Sequence, residues 1–158
     1  MSDTSPIRAL AHLDLLAVLE ALFGQVVVPP AVDNELLQPP VGLPRVDVRT
    51  LSFVRIQMPG NPNQVQILMA TLDPGESEAL ALALELETLA ILIDEAAGRK
   101  MARRLGLLPI GVLGTLVKAK QRGLISVVGP LIDRLKSELG FFISKPLRDE
   151  ILRKAGES

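Results

Sequence analysis

A chain of 158 residues with 48% hydrophobic content is long enough to bury a core without covalent staples. The absence of cysteine excludes disulfides, thiolate metal sites and cysteine nucleophiles together, and four Phe with no Trp or Tyr leave few aromatic platforms for nucleic-acid bases. The net charge of −1 hides a division: residues 1–97 carry four Arg against thirteen Asp or Glu, net −9, whereas residues 98–158 carry thirteen Lys or Arg against five acids, net +8. Such a split suits a cation site beside a phosphate-binding surface, and it equally suits two charged faces that only solvate the domain.

Met1 to Arg8 contains Asp3 and Pro6 in place of the basic and apolar stretches of a secretory leader. The longest apolar runs are too short to span a bilayer, so the expectation is a cytoplasmic protein with no membrane segment. Ser5-Pro6 supplies an N-cap and first turn for a helix predicted to reach about Phe23, with Leu10, Leu13 and Val18 on its apolar face and Gly24 as its stop. Val26-Val27-Val28 reads as a buried strand between Gly24 and Pro29-Pro30. A short helix follows from about Ala31 to Leu37, and Val41 to Thr50 reads as loop or edge. Phe53 to Gln57 alternates like a half-buried strand, Pro59 to Asn63 forms a turn, and a short helix covers Gln64–Leu72.

Asp73-Pro74-Gly75-Glu76 then opens a helix with an Asp cap, a Pro in the first turn and a Glu at the capping-box position; the helix runs through Leu86. Leu89 to Ile93 is the clearest buried strand and ends on Asp94-Glu95. Helices are predicted at about Gly98–Leu105, Val112–Arg122, Pro130–Leu139 and Pro146–Lys154, with Phe141-Phe142-Ile143 as a last strand. Apolar strands alternating with helices imply a parallel sheet covered on both faces, in one domain over residues 1–158.

In an open parallel sheet, sites form at the carboxyl ends of the strands, which is where Asp94 stands. Glu78 begins the apolar segment Ala79 to Leu84, so either Glu78 with Glu85 or Glu76 with Glu87 faces solvent and the other pair needs compensation. Glu76 has a capping task, which makes Glu78 the better functional candidate. Glu85 is its helical companion or simply exposed. Glu35 and Asp3, taken singly, read as a helix-surface acid and a terminal one.

The order of these pieces changes their meaning. Ser2-Asp3-Thr4-Ser5-Pro6, Val26 to Pro30 leading to Glu35-Leu36, Gly75-Glu76-Ser77-Glu78-Ala79-Leu80, Leu92-Ile93-Asp94-Glu95, Gly98-Arg99 and Gly106 through Leu116 together resemble the PIN-like family, especially its prokaryotic toxin-type nucleases. The resemblance implies a three-layer α/β/α fold with a mainly parallel central sheet and hydrolysis of RNA phosphodiester bonds through Mg²⁺ or Mn²⁺. Carried over, it makes Asp3, Glu35, Glu78 and Asp94 the catalytic acids, with Glu95 an auxiliary beside the metal-binding Asp3, Glu78 and Asp94. A hard ion with oxygen ligands suits that set. Only Met1 and Ser2 precede Asp3, so the first strand is expected to be truncated.

Arg99, Lys100, Arg103 and Arg104 fall on one side of the helix after Asp94 and form the expected RNA-backbone patch, with a solvated face as the plain alternative. His12, the single histidine, reads as a helix-surface residue. The rival functions are a catalytically idle PIN-like module that binds RNA or protein, and a phosphatase using Asp3 as nucleophile, for which Asp3-Thr4-Ser5 lacks the usual second acid. The toxin-type analogy adds a small antitoxin and a homodimer as expected partners.

Overall fold

A computed structural model describes residues 1–157; the expected domain boundary at Ser158 lies outside the described residues. Strand β1 (Val26–Val28) is three β-branched residues, all buried, and pairs in parallel with β2 (Val54–Ile56). A second parallel pair joins β3 (Ala90–Leu92) to β4 (Leu108–Ile110), with Ile91 opposite Pro109. Between the pairs runs Met1–Asp3. The Ser2 amide donates to the Val27 carbonyl at 3.0 Å, the Asp3 amide to the Leu92 carbonyl at 2.9 Å, and the Leu92 amide to the Met1 carbonyl at 2.9 Å. The order across the molecule is therefore β2, β1, Met1–Asp3, β3, β4, with β1–β2, Ser2–Leu92 and β3–β4 each paired in parallel. The first strand expected to be truncated is a lane three residues long, held in the centre.

Alternate side chains of β3 point to opposite faces and serve two separate cores. Leu92 joins Val26, Val28 and residues of α1 (Thr4–His12), α2 (Ala17–Phe23) and α7 (Val112–Gln121) in the larger one. Ile91 and Ile93 join the second, with Leu68 of α4 (Pro62–Leu68), Leu80 of α5 (Pro74–Glu85) and Ala102 of α6 (Ala96–Arg104). Helix α3 (Pro30–Leu37) adds Val32 and Leu36 to the larger core, and α8 (Gly129–Leu139) and α9 (Lys145–Lys154) close it from outside. This is the expected three-layer α/β/α architecture. Among the described residues, no helix is long and apolar enough to cross a membrane.

Two local expectations are corrected, and one strand appears where none was expected. The first helix is two: Asp14 has φ 59, in the left-handed region that Asp tolerates, and the chain breaks between α1 and α2. Phe141 to Ile143 is not a strand, because Gly140 closes α8 at φ 69 and the Phe141 amide turns back to the Leu135 carbonyl at 3.1 Å. Conversely, Leu108–Ile110 is a strand despite Pro109. The proline can be there because β4 is an edge strand and its missing amide faces away from β3.

Candidate functional site

The central lane ends on Asp3, which stands at the N-cap of α1 and is 3% exposed. Burial is the main reason its carboxyl is pushed from 3.8 up to about 8; the charges of Asp73, Glu76 and Glu35 push the same way, and the Thr4 amide opposes them. Glu35 comes from α3. Its carboxylate takes a hydrogen bond from the Thr4 hydroxyl, and the Arg8 guanidinium, one turn along α1 from Thr4, donates to the Glu35 backbone carbonyl at 2.9 Å. Gly75 lets the first turn of α5 approach: a Cβ there would lie 2.7 Å from Glu35 Oε1.

Glu76 is the third member. The capping expectation holds in part, since the Asp73 carboxylate accepts from the Glu76 amide at 2.8 Å and the Asp73 amide favours the ionised Glu76 carboxyl in return. The capping box does not show that this same carboxyl is buried. It is 4% exposed and pushed up to about 7 by burial, then by Asp73, with Glu95 and Glu35 adding repulsion.

Glu78 goes elsewhere. Its Oε2 accepts from the Ala31 amide at 2.8 Å and so satisfies the open N-terminus of α3. It is not among the charges that raise Asp3, Glu76 or Asp94. Sequence reasoning gave Glu76 the structural task and Glu78 the site; in the structure Glu78 caps α3 and the charge of Glu76 is felt by Asp3.

Asp94 is likewise engaged at a helix end. Its Oδ1 accepts from the Val112 amide at 2.9 Å at the start of α7, and Gly111 makes room, since a Cβ there would lie 2.7 Å from that oxygen. Burial first, then the charge of Glu95, raises its carboxyl to about 6 against the Val112 amide and Arg99. Its Oδ2 is buried without a partner. Glu95, exposed at the N-cap of α6, is the charge felt by both Glu76 and Asp94. Asp3, Glu35, Asp73 and Glu76 thus form one acidic neighbourhood that Glu95 links to Asp94, while Glu78 is engaged at the start of α3.

Inside this neighbourhood sits a cation that sequence reasoning missed. Arg8 feels the charges of Glu35 and Asp3, and its Nε is buried without a partner. Its position on α1, five residues after Asp3, was the only available signal.

Whether the set suits a divalent ion has two answers. Its donors are all carboxylate oxygens, the ligands that hard divalent ions prefer. Buried acids lifted to about 7 and 8 are also groups whose ionised form lacks compensation, which a cation supplies. The side chains are not closed around a point, however: among the described residues no three His, Cys, Asp or Glu groups are gathered tightly enough to hold a metal. The chemistry fits, and the side chains would have to turn inward to grip an ion.

Of the expected basic patch, Arg99 is half-buried and donates to the Ile93 carbonyl at 3.1 Å, so it braces the turn after β3. Lys100, Arg103 and Arg104 are exposed on α6. His12 faces Glu138 at 3.3 Å.

A family model for the PIN domain matches residues 1–157 of the chain. Comparison with curated proteins and with solved structures gave no match.

Proposed function

The chain belongs to the PIN-domain family, and on that premise we propose that it is a metal-dependent ribonuclease resembling the toxin-type members, hydrolysing RNA phosphodiester bonds. The observation that carries this reading is a pair of buried carboxyls, Asp3 and Glu76, both raised by burial and both feeling the charges of Asp73 and Glu35, with Asp3 at the end of the central lane.

Asp3, Glu35 and Glu76 would hold the Mg²⁺ or Mn²⁺, with Glu95 reaching in from the start of α6. Asp94 keeps one oxygen, Oδ2, free for the ion or for a water beside it, while its other oxygen fixes α7. When bound, the ion supplies a water of lowered pKa and neutralises charge on the phosphoryl oxygens. The protein's own part is positional. Thr4 orients the Glu35 carboxylate, Gly75 keeps α5 close enough for Glu76 to share the site, and Lys100, Arg103 and Arg104 offer charge to the RNA backbone. Burial and neighbouring acids favour the protonated forms of Asp3 and Glu76, a bias that a bound cation would reverse.

The test is cleavage of single-stranded RNA with Mn²⁺ and with EDTA. Cleavage that needs the metal and disappears in Glu76→Gln supports the reading; cleavage that persists in EDTA or survives the substitution overturns it. One observation favours the idle-module alternative: Arg8 already supplies a positive charge among the acids, whose side chains are not closed around a metal point. RNA bound but left intact in Mn²⁺ would select that reading. The toxin-type analogy further proposes a cytoplasmic protein, a small antitoxin over the acid pocket and a homodimer, which co-expression with a neighbouring small reading frame and solution mass would reveal.

A further inference from the structure

We propose that the groove leading from Asp94 along β4 to α9 seats a nucleotide neighbouring the cleaved bond, its base stacked on Phe142; this rests on the ribonuclease reading. The groove is about 610 Å³ in volume, large enough for a small-molecule-sized group, with Leu108, Leu113, Phe142 and Ile151 among its apolar walls. Its lining includes Asp94, whose carboxyl feels the charge of Glu95 as that of Glu76 does, so the groove begins beside the acid neighbourhood.

Phe142 decides the chemistry. It is 93% exposed, whereas Phe23, Phe53 and Phe141 are all half-buried. An aromatic ring left in water contributes nothing to the core, and base stacking is tolerant of sequence because every base offers a flat face. The cations around it come from three separate elements: Arg99 on α6, Lys118 on α7 and Lys154 on α9. Lys154 pairs with Glu150 at 3.0 Å along its own helix, an exposed pair that gives way to a phosphate at small cost. An apolar peptide would suit the walls alone. It would not account for cations drawn from three helices or for the opening towards the acids.

The measurement is anisotropy of a labelled short single-stranded oligouridylate in EDTA, which prevents metal-dependent cleavage, set beside an abasic oligomer of the same length. Phe142→Ala should weaken oligouridylate binding by about 5- to 100-fold and leave abasic binding unchanged, and Phe142→Tyr should restore it. Lys118→Glu should weaken both and flatten the salt dependence. Because Phe142 is solvated, its removal leaves the fold intact. Unchanged affinity in Phe142→Ala, or equal loss for both oligomers, overturns the proposal. So does loss of a homodimer at unchanged RNA affinity, which would make the groove a protein interface. Failure here is distinct from failure of the nuclease reading. Base-dependent binding without Mn²⁺-dependent cleavage keeps the groove and removes the nuclease, whereas cleavage with unaltered KM in Phe142→Ala does the reverse.

Discussion

The floor of the acid pocket and its rim differ in what their carboxylates are attached to. At the rim, Glu78 and Asp94 each accept a backbone amide at the open end of a helix, α3 and α7 respectively. On the floor, Asp3 and Glu76 sit almost without solvent among other acids and are pushed up to about 8 and 7. The contrast separates two uses of the same side chain. Glu78 completes a helix end and contributes mainly to stability, Asp94 does so with one oxygen while the other stays buried without a partner, and the floor acids, buried against like charges, store an unfavourable interaction that a cation can relieve.

The strongest way to break this contrast is to neutralise one acid from each region. Glu76→Gln or Asp3→Asn should lower Mn²⁺-dependent cleavage by about 100-fold or more, since metal stabilisation of the transition state is worth several kcal/mol. Glu78→Gln should leave the rate within about threefold, because it disturbs the start of α3 and not the reacting centre. Equal losses at the two positions would erase the distinction between floor and rim.

The pH dependence of stability tests the floor without any activity. Asp3 and Glu76 have folded values near 8 and 7 against ordinary values of 3.8 and 4.5. The folded chain therefore binds more protons than the unfolded one between those limits, and its stability falls as pH rises through that window. The metal-free Tm should drop by about 5 °C or more from pH 5 to pH 8.5. Saturating Mn²⁺ should remove most of the drop, and Glu76→Gln should flatten it. A Tm that rises over the same range would show that these acids are ionised at no cost.

Arg8 sharpens the comparison from the other side, as the cation among the floor acids. Arg8→Met should tighten Mn²⁺ binding by about 10-fold or more in calorimetry, since a positive charge among the acids opposes a divalent ion and its removal relieves that repulsion. Weaker binding would mean that its hydrogen bond to the Glu35 carbonyl matters more than its charge. The smallest effect belongs to the rim: Glu78→Ala should cost about 1 kcal/mol, or roughly 2–4 °C in Tm, with Mn²⁺ affinity unchanged.

Much of the scaffold could be read from residue order. Val26–Val28 and the run ending at Asp94 announced themselves as buried strands because they are apolar on both faces and bounded by turn residues. The Asp73 cap fixed the start of α5 because Asp, Pro and Glu fall where a helix N-terminus needs them. Strand β4 was hidden because three residues centred on a proline carry no periodic signal. The break at Asp14 was hidden because the apolar face continues across it.

The site was legible in its parts and not in their pairing. Asp94 was a candidate from its place after a strand, and Asp3 and Glu35 from the resemblance. Glu76 was passed over in favour of Glu78, because α5 is apolar nearly all round and the choice between its two glutamates depends on where α3 packs. That is a tertiary fact: α3 presents its amides to Glu78 and its Glu35 to Gly75.

The three-residue lane at the centre of the sheet has a consequence for how the pocket fails. Among the described residues, Met1–Asp3 is the backbone seam between the β1–β2 half and the β3–β4 half, stitched by the Ser2, Asp3 and Leu92 amides. Fraying of that seam would carry Asp3 away from Glu76 while both half-sheets stayed paired. A local opening of this kind would take the acid pocket apart without global unfolding. Hydrogen exchange at the Leu92 amide, compared with amides inside the β3–β4 pair, reads the lifetime of the intact site directly.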